Sequence, residues 1–337
     1  MLISAFIPAL SEGRSEPLNL ALPTENDALF RGGGPDFYQH IIRDFKGVTT
    51  RPWQGGQYGF VRNPVETGGG LVYTRFHEGL DIKPVRRDAR GEPLDEVRAI
   101  AEGTVVHVNL VPGYSNYGKY VVVEHVWDGS SYYSLYGHLA SATVSRGAKV
   151  NRGEQLGLLG YTGDGLDQVR AHVHLELNLL LGRNFASWHD AFFKSDPNRH
   201  GLYNGLNLTG IDIAGLYLAL RRRPGLSIPE FLEQEDTFYK VTLPASPNFD
   251  LPRRYPWLLR EGGSASAPAW EVSFNQAGVP LRITPASAAV TAPTLSYIRK
   301  RGGDYAGMTR GVIGGSGANA RLTESGLRLM RLLTWPD

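Results

Sequence analysis

The segment Ala171-His172-Val173-His174-Leu175-Glu176-Leu177 alternates apolar and polar residues with a period of two, the pattern of a half-buried β-strand. On such a strand His172 and His174 point to the same side. Two neighbouring imidazoles repel each other when both are protonated, so a bound cation is a simple reason for one of them to stay neutral. A solvated polar face explains this pair equally well, and the segment alone leaves both interpretations open.

A second segment, Phe76-His77-Glu78-Gly79-Leu80-Asp81-Ile82, places an imidazole four residues before a carboxylate. Zinc accepts one nitrogen and one oxygen donor of this kind in a tetrahedral shell. A surface hydrogen bond between His77 and Asp81 is the alternative for this segment taken by itself. The two segments together favour a metal site.

Several further blocks separate these two segments and occur in a fixed order. They are Ala99-Ile100-Ala101-Glu102-Gly103-Thr104-Val105-Val106, Asn116-Tyr117-Gly118-Lys119-Tyr120-Val121-Val122-Val123-Glu124-His125, Tyr136-Gly137-His138-Leu139, Gly147-Ala148-Lys149-Val150-Asn151-Arg152-Gly153-Glu154-Gln155-Leu156-Gly157 and Gly160-Tyr161-Thr162-Gly163. In this order and spacing, the blocks resemble the lysostaphin-type (LytM-like) zinc metallopeptidases, which are peptidoglycan endopeptidases with the duplicated hybrid motif fold. The resemblance covers roughly residues 75–180.

The resemblance implies that His77, Asp81 and His174 bind one Zn²⁺ per chain, and that His138 and His172 are the catalytic histidines beside it. Three protein ligands leave a fourth position for water, as in catalytic zinc sites generally. A neutral histidine suits proton transfer and stabilisation of an oxyanion because its pKa lies near the working pH. The spacing does not say how His138 and His172 divide these tasks.

Other polar residues near the two segments are weaker candidates. Glu176 shares the strand face of the histidine pair and could hold the far N–H of a ligand, although a solvent-facing position is equally consistent with the pattern. Tyr73 could supply a phenol to the oxyanion, as a tyrosine does in the family, but its spacing from His77 fits poorly. The remaining histidines have no partner at a ligand spacing and are expected to be structural: His40, His107, His125, His189 and His200.

Composition limits the class of protein and its partners. A chain of 337 residues is long enough for two or more units, and the absence of cysteine excludes disulfides, thiolate zinc sites and a cysteine nucleophile. The formal charge of +2 gives no indication of nucleic-acid binding. No segment has the length and apolarity of a membrane span, and residues 2–10 lack the basic start of a signal peptide. The expected partner is peptidoglycan peptides, from which a periplasmic, secreted or cell-envelope location follows; a monomer is favoured.

The chain is expected to form three parts. Residues 1–70 predict an irregular N-terminal extension that packs on the catalytic domain, with a short helix over 36–45 and with Asn26 or Asp27 as candidates to cover the metal. Residues 71–185 predict the zinc metallopeptidase domain, an antiparallel β-sandwich or barrel with strands at 104–109, 120–125, 132–136, 156–160 and 172–179 and a hairpin turn at Asp128-Gly129. Residues 186–337 predict a small α+β module of unknown role, with helices capped by Asp212 and by Ser227 and a final helix over 323–333.

Three classes of function remain. The zinc endopeptidase accounts for all five candidate residues. A non-enzymatic relative that binds the cell wall or regulates another hydrolase is the alternative, although such proteins tend to lose the ligands. A phosphocarrier of the sugar phosphotransferase type has a similar sandwich and can carry a His-x-Gly-Ile-Asp stretch, but it leaves His172 and His174 unexplained.

Overall fold

The computed structural model describes residues 17–39, 43–50, 55–67, 70–260 and 267–336. The first elements are Gly34–Phe37 (α1), Arg43–Phe45 (β1), Val48–Thr50 (β2), Gly59–Thr67 (β3) and Gly70–His77 (β4). The helix predicted over 36–45 is wrong, because α1 ends at Phe37 and β1 pairs with β2. Lys46 and Gly47 both have positive φ, 50° and 79°, which is the conformation of a tight two-residue hairpin turn. His40 lies outside the described residues.

A long antiparallel hairpin of β3 and β4 leads into the first metal-site segment. Its register pairs Gly59 with His77 and Thr67 with Gly70, with an irregularity between Phe60 and Arg62. The hairpin crosses residue 70, where the sequence places the end of the extension. The division into three parts stays a prediction.

Antiparallel strands form the centre of the molecule. They are Leu80–Ile82 (β5), Glu96–Arg98 (β6), Gly103–Asn109 (β7), Tyr120–Trp127 (β8), Ser130–Gly137 (β9), Ser141–Ala142 (β10), Lys149–Val150 (β11), Gln155–Leu158 (β12), Val173–Leu180 (β13) and Leu208–Gly210 (β14). The larger sheet has the order β11-β7-β8-β9-β13-β14, with β5 also paired to β13, and a smaller sheet has the order β10-β12-β6. The expected mainly β fold class is therefore confirmed. The turn at Asp128-Gly129 joins β8 to β9, with φ of 50° and 70°.

Strand β13 carries His174, with His172 immediately before its first residue, and β13 is buried on both faces along its whole length. One face contributes Leu175, Leu177 and Leu179 to the main hydrophobic core. The other face is polar but is also covered, so the half-buried strand predicted from the alternation is only partly correct. Buried polar groups need partners, and His174 and Glu176 find them in the site described below.

Helices, a four-stranded sheet and a short strand pair, β19 with β20, follow β13. They are Phe185–Phe192 (α2), Ile213–Arg222 (α3), Ile228–Leu232 (α4), Tyr239–Pro244 (β15), Leu251–Arg254 (α5), Ala269–Phe274 (β16), Pro280–Pro285 (β17), Thr294–Ile298 (β18), Ile313–Gly314 (β19), Arg321–Leu322 (β20) and Glu324–Leu332 (α6). The sheet order is β17-β16-β15-β18. The predicted caps are present: Asp212 accepts a hydrogen bond from the backbone of α3, and Ser227 forms a capping box with Glu230.

Short 3-10 helices connect several of these elements. They are Ala28–Arg31, Pro112–Tyr114, Gln168–Arg170, Gly201–Tyr203, Pro256–Leu258, Ala306–Met308 and Gly317–Asn319. Across the described residues, no helix combines the length and the apolar character needed to cross a bilayer.

The C-terminal elements hold the end of β13 directly. β14 pairs with it from Asn178 to Leu180, and the Tyr255 hydroxyl accepts a hydrogen bond from the Leu180 amide at 2.9 Å. The Arg254 guanidinium donates to the carbonyls of Leu180 and Leu181. The C-terminal end of β13 is thus held by elements that follow it in the chain.

Candidate metal centre

Three strands bring His77, Asp81 and His174 together. His77 ends β4, and Asp81 on β5 lies directly opposite His174 on β13. The Oδ1 atom of Asp81 is 3.1 Å from His77 Nε2 and 2.9 Å from His174 Nδ1, and the two nitrogens are 3.1 Å apart. All three side chains are buried. The structure therefore brings together the three residues that the family resemblance implies as metal ligands.

The outer nitrogen of each site histidine faces an oxygen that can only accept a hydrogen bond. The partners are the Gln57 carbonyl for His77 Nδ1 at 2.8 Å, the Glu176 carboxylate for His174 Nε2 at 2.8 Å, the Thr162 carbonyl for His138 Nδ1 at 2.8 Å and the Arg170 carbonyl for His172 Nδ1 at 2.7 Å. Each outer nitrogen must therefore carry the proton. In the neutral rings the lone pairs are left on the inner nitrogens.

This hydrogen bonding tests whether the residues fit a metal. The inner nitrogens of His77 and His174 and the Asp81 oxygen are three acceptors about 3 Å apart, an arrangement that repels unless a proton or a cation lies among them. Two imidazoles and one carboxylate are a common donor set for catalytic zinc. The residues fit the ion.

The pKa shifts of the three candidate ligands reflect burial, which disfavours the charged form of each group, and the neighbouring groups, which in part oppose it. Burial lowers the pKa of His77. For His174 burial acts downward too, but the hydrogen bonds to Asp81 and Glu176 outweigh it and raise the pKa to about 10. Burial acts to raise the pKa of Asp81, yet His77, His172 and Arg62 together hold it well below its usual value. A proton thus takes the central position when no cation does.

The two expected catalytic histidines lie side by side next to the ligands. The ring centroids of His138 and His172 are 4.6 Å apart, and His172 Nε2 is 3.3 Å from Asp81 Oδ1. His138 follows β9 with a left-handed backbone, φ 61°, and its amide donates to the Tyr117 carbonyl at 2.7 Å. Burial and the neighbouring His172 lower the pKa of His138 well below its usual value, so the ring is neutral at physiological pH.

Glu176 holds the outer N–H of His174, as expected for a carboxylate behind a metal ligand. Its Oε1 atom also accepts a hydrogen bond from the Tyr117 hydroxyl at 2.8 Å, and its Oε2 atom accepts one from Asn178 Nδ2 at 2.9 Å. Tyr117 was not predicted to take part, although it lies in one of the family-like blocks. Tyr73 lines the cleft opposite Pro64 and belongs to the hairpin.

Arg62 is a second residue that sequence reasoning missed. Its Nη2 atom is 2.5 Å from Asp81 Oδ2, and its Nε donates to the Gly55 carbonyl at 2.8 Å. The two oxygens of Asp81 thus have separate partners, one toward the ligand histidines and one toward the guanidinium. No local pattern indicates this contact, because it depends on the hairpin register.

Asn26 and Asp27 do not cover the site. The Asn26 amide donates to the carbonyls of Asp36 and Lys83, and Asp27 forms an ion pair with Arg31. The prediction that one of them covers the metal is wrong, because the carbonyls of Asp36 and Lys83 hold the Asn26 amide and Arg31 pairs with Asp27.

The site opens into a cleft of about 1130 Å³. The hairpin of β3 and β4 lines it on one side, and loop residues 113–117 and 204–206 also line it. From the C-terminal part, Arg310 forms an ion pair with Glu78 and lies over the Phe76 ring, 4.9 Å from its centroid. The segment that contains His77 is therefore held by the C-terminal elements as well.

The remaining described histidines make structural contacts. His125 lies between the Glu102 carbonyl at 2.6 Å and Ser134 Oγ at 2.7 Å. His107 and His200 both lie against Tyr120, and His189 stacks on Phe193. These contacts agree with the structural role expected for them.

Comparison with known proteins matches part of the chain to a peptidase family. Residues 75–184 match the sequence model of Peptidase family M23. The chain contains a peptidase M23 domain of the lysostaphin and LytM type. This match leaves the phosphocarrier interpretation without support.

Individual relatives are similar over short segments. The murein hydrolase activator EnvC of Escherichia coli (strain K12) is 44% identical over 82 residues, which are 24% of this chain and 17% of that protein. The peptidoglycan DD-endopeptidase ShyA of Vibrio cholerae is 42% identical over 60 residues, 18% of this chain and 13% of that protein. The catalytic domain of lysostaphin from Staphylococcus simulans has 27% identity and a TM-score of 0.25, covering 36% of this chain and 76% of that one. The chain thus spans less than a fifth of the length of these curated relatives.

Proposed function

We propose that this chain is a zinc-dependent endopeptidase that hydrolyses peptide bonds in bacterial peptidoglycan cross-links. The observation that carries the proposal is the group of three converging acceptor atoms from His77, Asp81 and His174, which lies beside two further imidazoles in an open cleft. The similarity to a peptidoglycan endopeptidase supports the substrate class.

In this proposal His77 Nε2, His174 Nδ1 and Asp81 Oδ1 hold the zinc ion. Bound zinc supplies an acidified water molecule and a Lewis acid for the scissile carbonyl. Glu176 keeps His174 in the tautomer that offers Nδ1, and Arg62 turns the second oxygen of Asp81 away from the other ligands.

His138 and His172 carry out the proton transfers of the reaction. Their Nδ1–H groups donate to the carbonyls of Thr162 and Arg170, so Nε2 is the nitrogen of each neutral ring that can accept a proton from the attacking water. The imidazolium formed in this way can then donate to the leaving amine nitrogen or to the oxyanion. The low pKa of His138 keeps it ready as an acceptor at neutral pH.

The similarity to a hydrolase activator favours a second candidate, a regulator of another wall hydrolase. A regulator needs neither bound metal nor two imidazoles beside it. The complete set of candidate ligands therefore supports the enzyme over the regulator.

Peptidoglycan lies outside the cytoplasmic membrane, so the proposed substrate implies a periplasmic, secreted or cell-envelope location. A monomer remains the expected state.

Digestion of purified peptidoglycan tests the proposal. We expect one zinc per chain by elemental analysis, fragments whose masses identify a cleaved peptide bond, loss of activity with a chelator and recovery with zinc. His174→Ala should lose both zinc and hydrolysis, whereas His138→Ala and His172→Ala should keep zinc and lose rate. The exposed Arg253→Gln serves as a control. Full hydrolysis by His174→Ala would refute the ligand assignment, and stimulation of a second hydrolase without hydrolysis by the protein alone would favour the regulator.

A further inference from the structure

Two arginines lie directly opposite each other on the hairpin that lines the cleft. Arg62 on β3 is the cross-strand partner of Arg75 on β4, and both line the cleft. Like charges in this position destabilise a hairpin, because opposed side chains extend on the same face. Asp81 pairs with Arg62, so an anion that stabilises the two opposed arginines further would have to lie beside Arg75.

No residue in the described part of the chain supplies that anion. Arg75 is exposed, and its side chain forms no hydrogen bond or ion pair there. Other arginines of the cleft have partners: Arg310 is paired with Glu78, and Arg170 donates to the Gly165 carbonyl. Among the acidic residues that line the cleft, Asp44 and Asp164 do not come within 4 Å of a basic side chain in the described ranges.

The position of Arg75 relates it to the reacting centre. Arg75 and His77 are two residues apart on β4 and therefore lie on the same strand face. Their Cα atoms are separated by about 7 Å, the length of two residues in an extended peptide. A guanidinium there can reach a group near the bond that is cut.

We propose that Arg75 is a specificity-determining residue that binds a carboxylate of the peptide substrate within about two residues of the scissile bond. The planar guanidinium pairs with a carboxylate through two parallel hydrogen bonds, which lysine does not reproduce. This inference rests on the proposed endopeptidase function.

Matched synthetic peptides test the assignment. One pair is identical except for a C-terminal carboxylate or carboxamide two residues from the scissile bond, and a second pair differs by Glu or Gln at an internal position equally close. Hydrolysis is measured as kcat/KM with the zinc-loaded protein, and binding is measured by calorimetry with the chelated protein. The variants are Arg75→Gln, Arg75→Lys and the exposed control Arg253→Gln, in which an arginine distant from the cleft loses the same charge.

The wild type should prefer the carboxylate peptide of at least one pair by about tenfold, worth about 1.4 kcal/mol. Arg75→Gln should abolish that preference and leave the neutral peptide unchanged, Arg75→Lys should keep part of it, and Arg253→Gln should keep all of it. Equal hydrolysis of both members of both pairs by the wild type overturns the inference and leaves the peptidase intact. Preferential binding that depends on Arg75, without any hydrolysis, supports the inference and refutes the proposed function; binding without preference overturns it.

Discussion

Replacing Glu176 with glutamine separates the charge behind the metal site from the shape of its pocket. The buried carboxylate accepts hydrogen bonds from His174, Tyr117 and Asn178. In Glu176→Gln, the amide oxygen can keep the first two donors while its NH₂ group faces Asn178. Asn178 Oδ1 has no partner within the described residues, so a flip of the Asn178 amide makes it the acceptor, in exchange for the 3.3 Å hydrogen bond from Asn178 Nδ2 to the Tyr133 carbonyl. The fold is therefore expected to survive the substitution.

The loss should appear in metal affinity. A carboxylate behind a ligand histidine raises the basicity of the ring, and its removal generally costs 10–100-fold in affinity or activity, about 1.4–2.8 kcal/mol. Glu176→Ala is the contrasting variant. It removes the acceptor of His174 and of Tyr117 and one of the two acceptors of Asn178 Nδ2, at about 1–3 kcal/mol for each buried donor left unpaired, so it should destabilise the zinc-free protein as well.

Two measurements distinguish these effects. Competition with a chromophoric chelator gives the zinc Kd, and thermal unfolding of the zinc-free protein reports stability. We expect Glu176→Gln to bind zinc 10–100-fold more weakly with a nearly unchanged unfolding temperature, and Glu176→Ala to lose both. Zinc affinity of Glu176→Gln within twofold of the wild type would refute the reasoning, as would unfolding as early as that of Glu176→Ala.

Three further substitutions follow from the structure. Gly118 has φ 63°, and a Cβ there would lie 2.4 Å from the Thr162 backbone, so Gly118→Ala should lower the free energy of unfolding by at least about 1–2 kcal/mol in chemical denaturation, unlike Gly113→Ala, whose Cβ would meet open space. Burial lowers the pKa of His125 to about 4, so protonation favours the unfolded chain; stability that is complete above pH 6.5 should fall by about 3 kcal/mol toward pH 4, and His125→Gln should remove this part of the pH dependence of denaturant unfolding. Arg62→Ala should weaken zinc binding about tenfold in chelator competition by freeing Asp81, with partial recovery in Arg62→Lys; unchanged affinity would argue against a positioning role.

Local chemistry made much of the fold predictable. Asp128-Gly129 specifies a tight hairpin, Ser227 with Glu230 specifies a helix start, and both appear as expected. The helix expected over 36–45 failed because one glycine, Gly47, sets a turn that competes with weak helical periodicity. A glycine in a two-residue turn is the sequence signal that predicts a hairpin at Lys46-Gly47.

The family-like blocks brought five candidate site residues together, but not the residues around them. The roles of Tyr117 and Arg62 depend on which strands become neighbours and in what register. A sequence pattern describes one strand at a time, so contacts between strands far apart in the chain are not readable from it. Burial of both faces of β13 has the same origin, since the cover comes from other segments.

The segment that matches the peptidase family model ends at residue 184, but the sheet that supports it does not. β14 continues that sheet, and Arg254 and Tyr255 bind the last backbone groups of β13. A gene fusion or domain exchange joined at residue 184 would therefore transfer the candidate ligands without β14, Arg254 and Tyr255. These are the strand and the side chains that hold the end of β13 in position. For this chain, the segment that matches the family model is shorter than the segment that must fold together to support the candidate site.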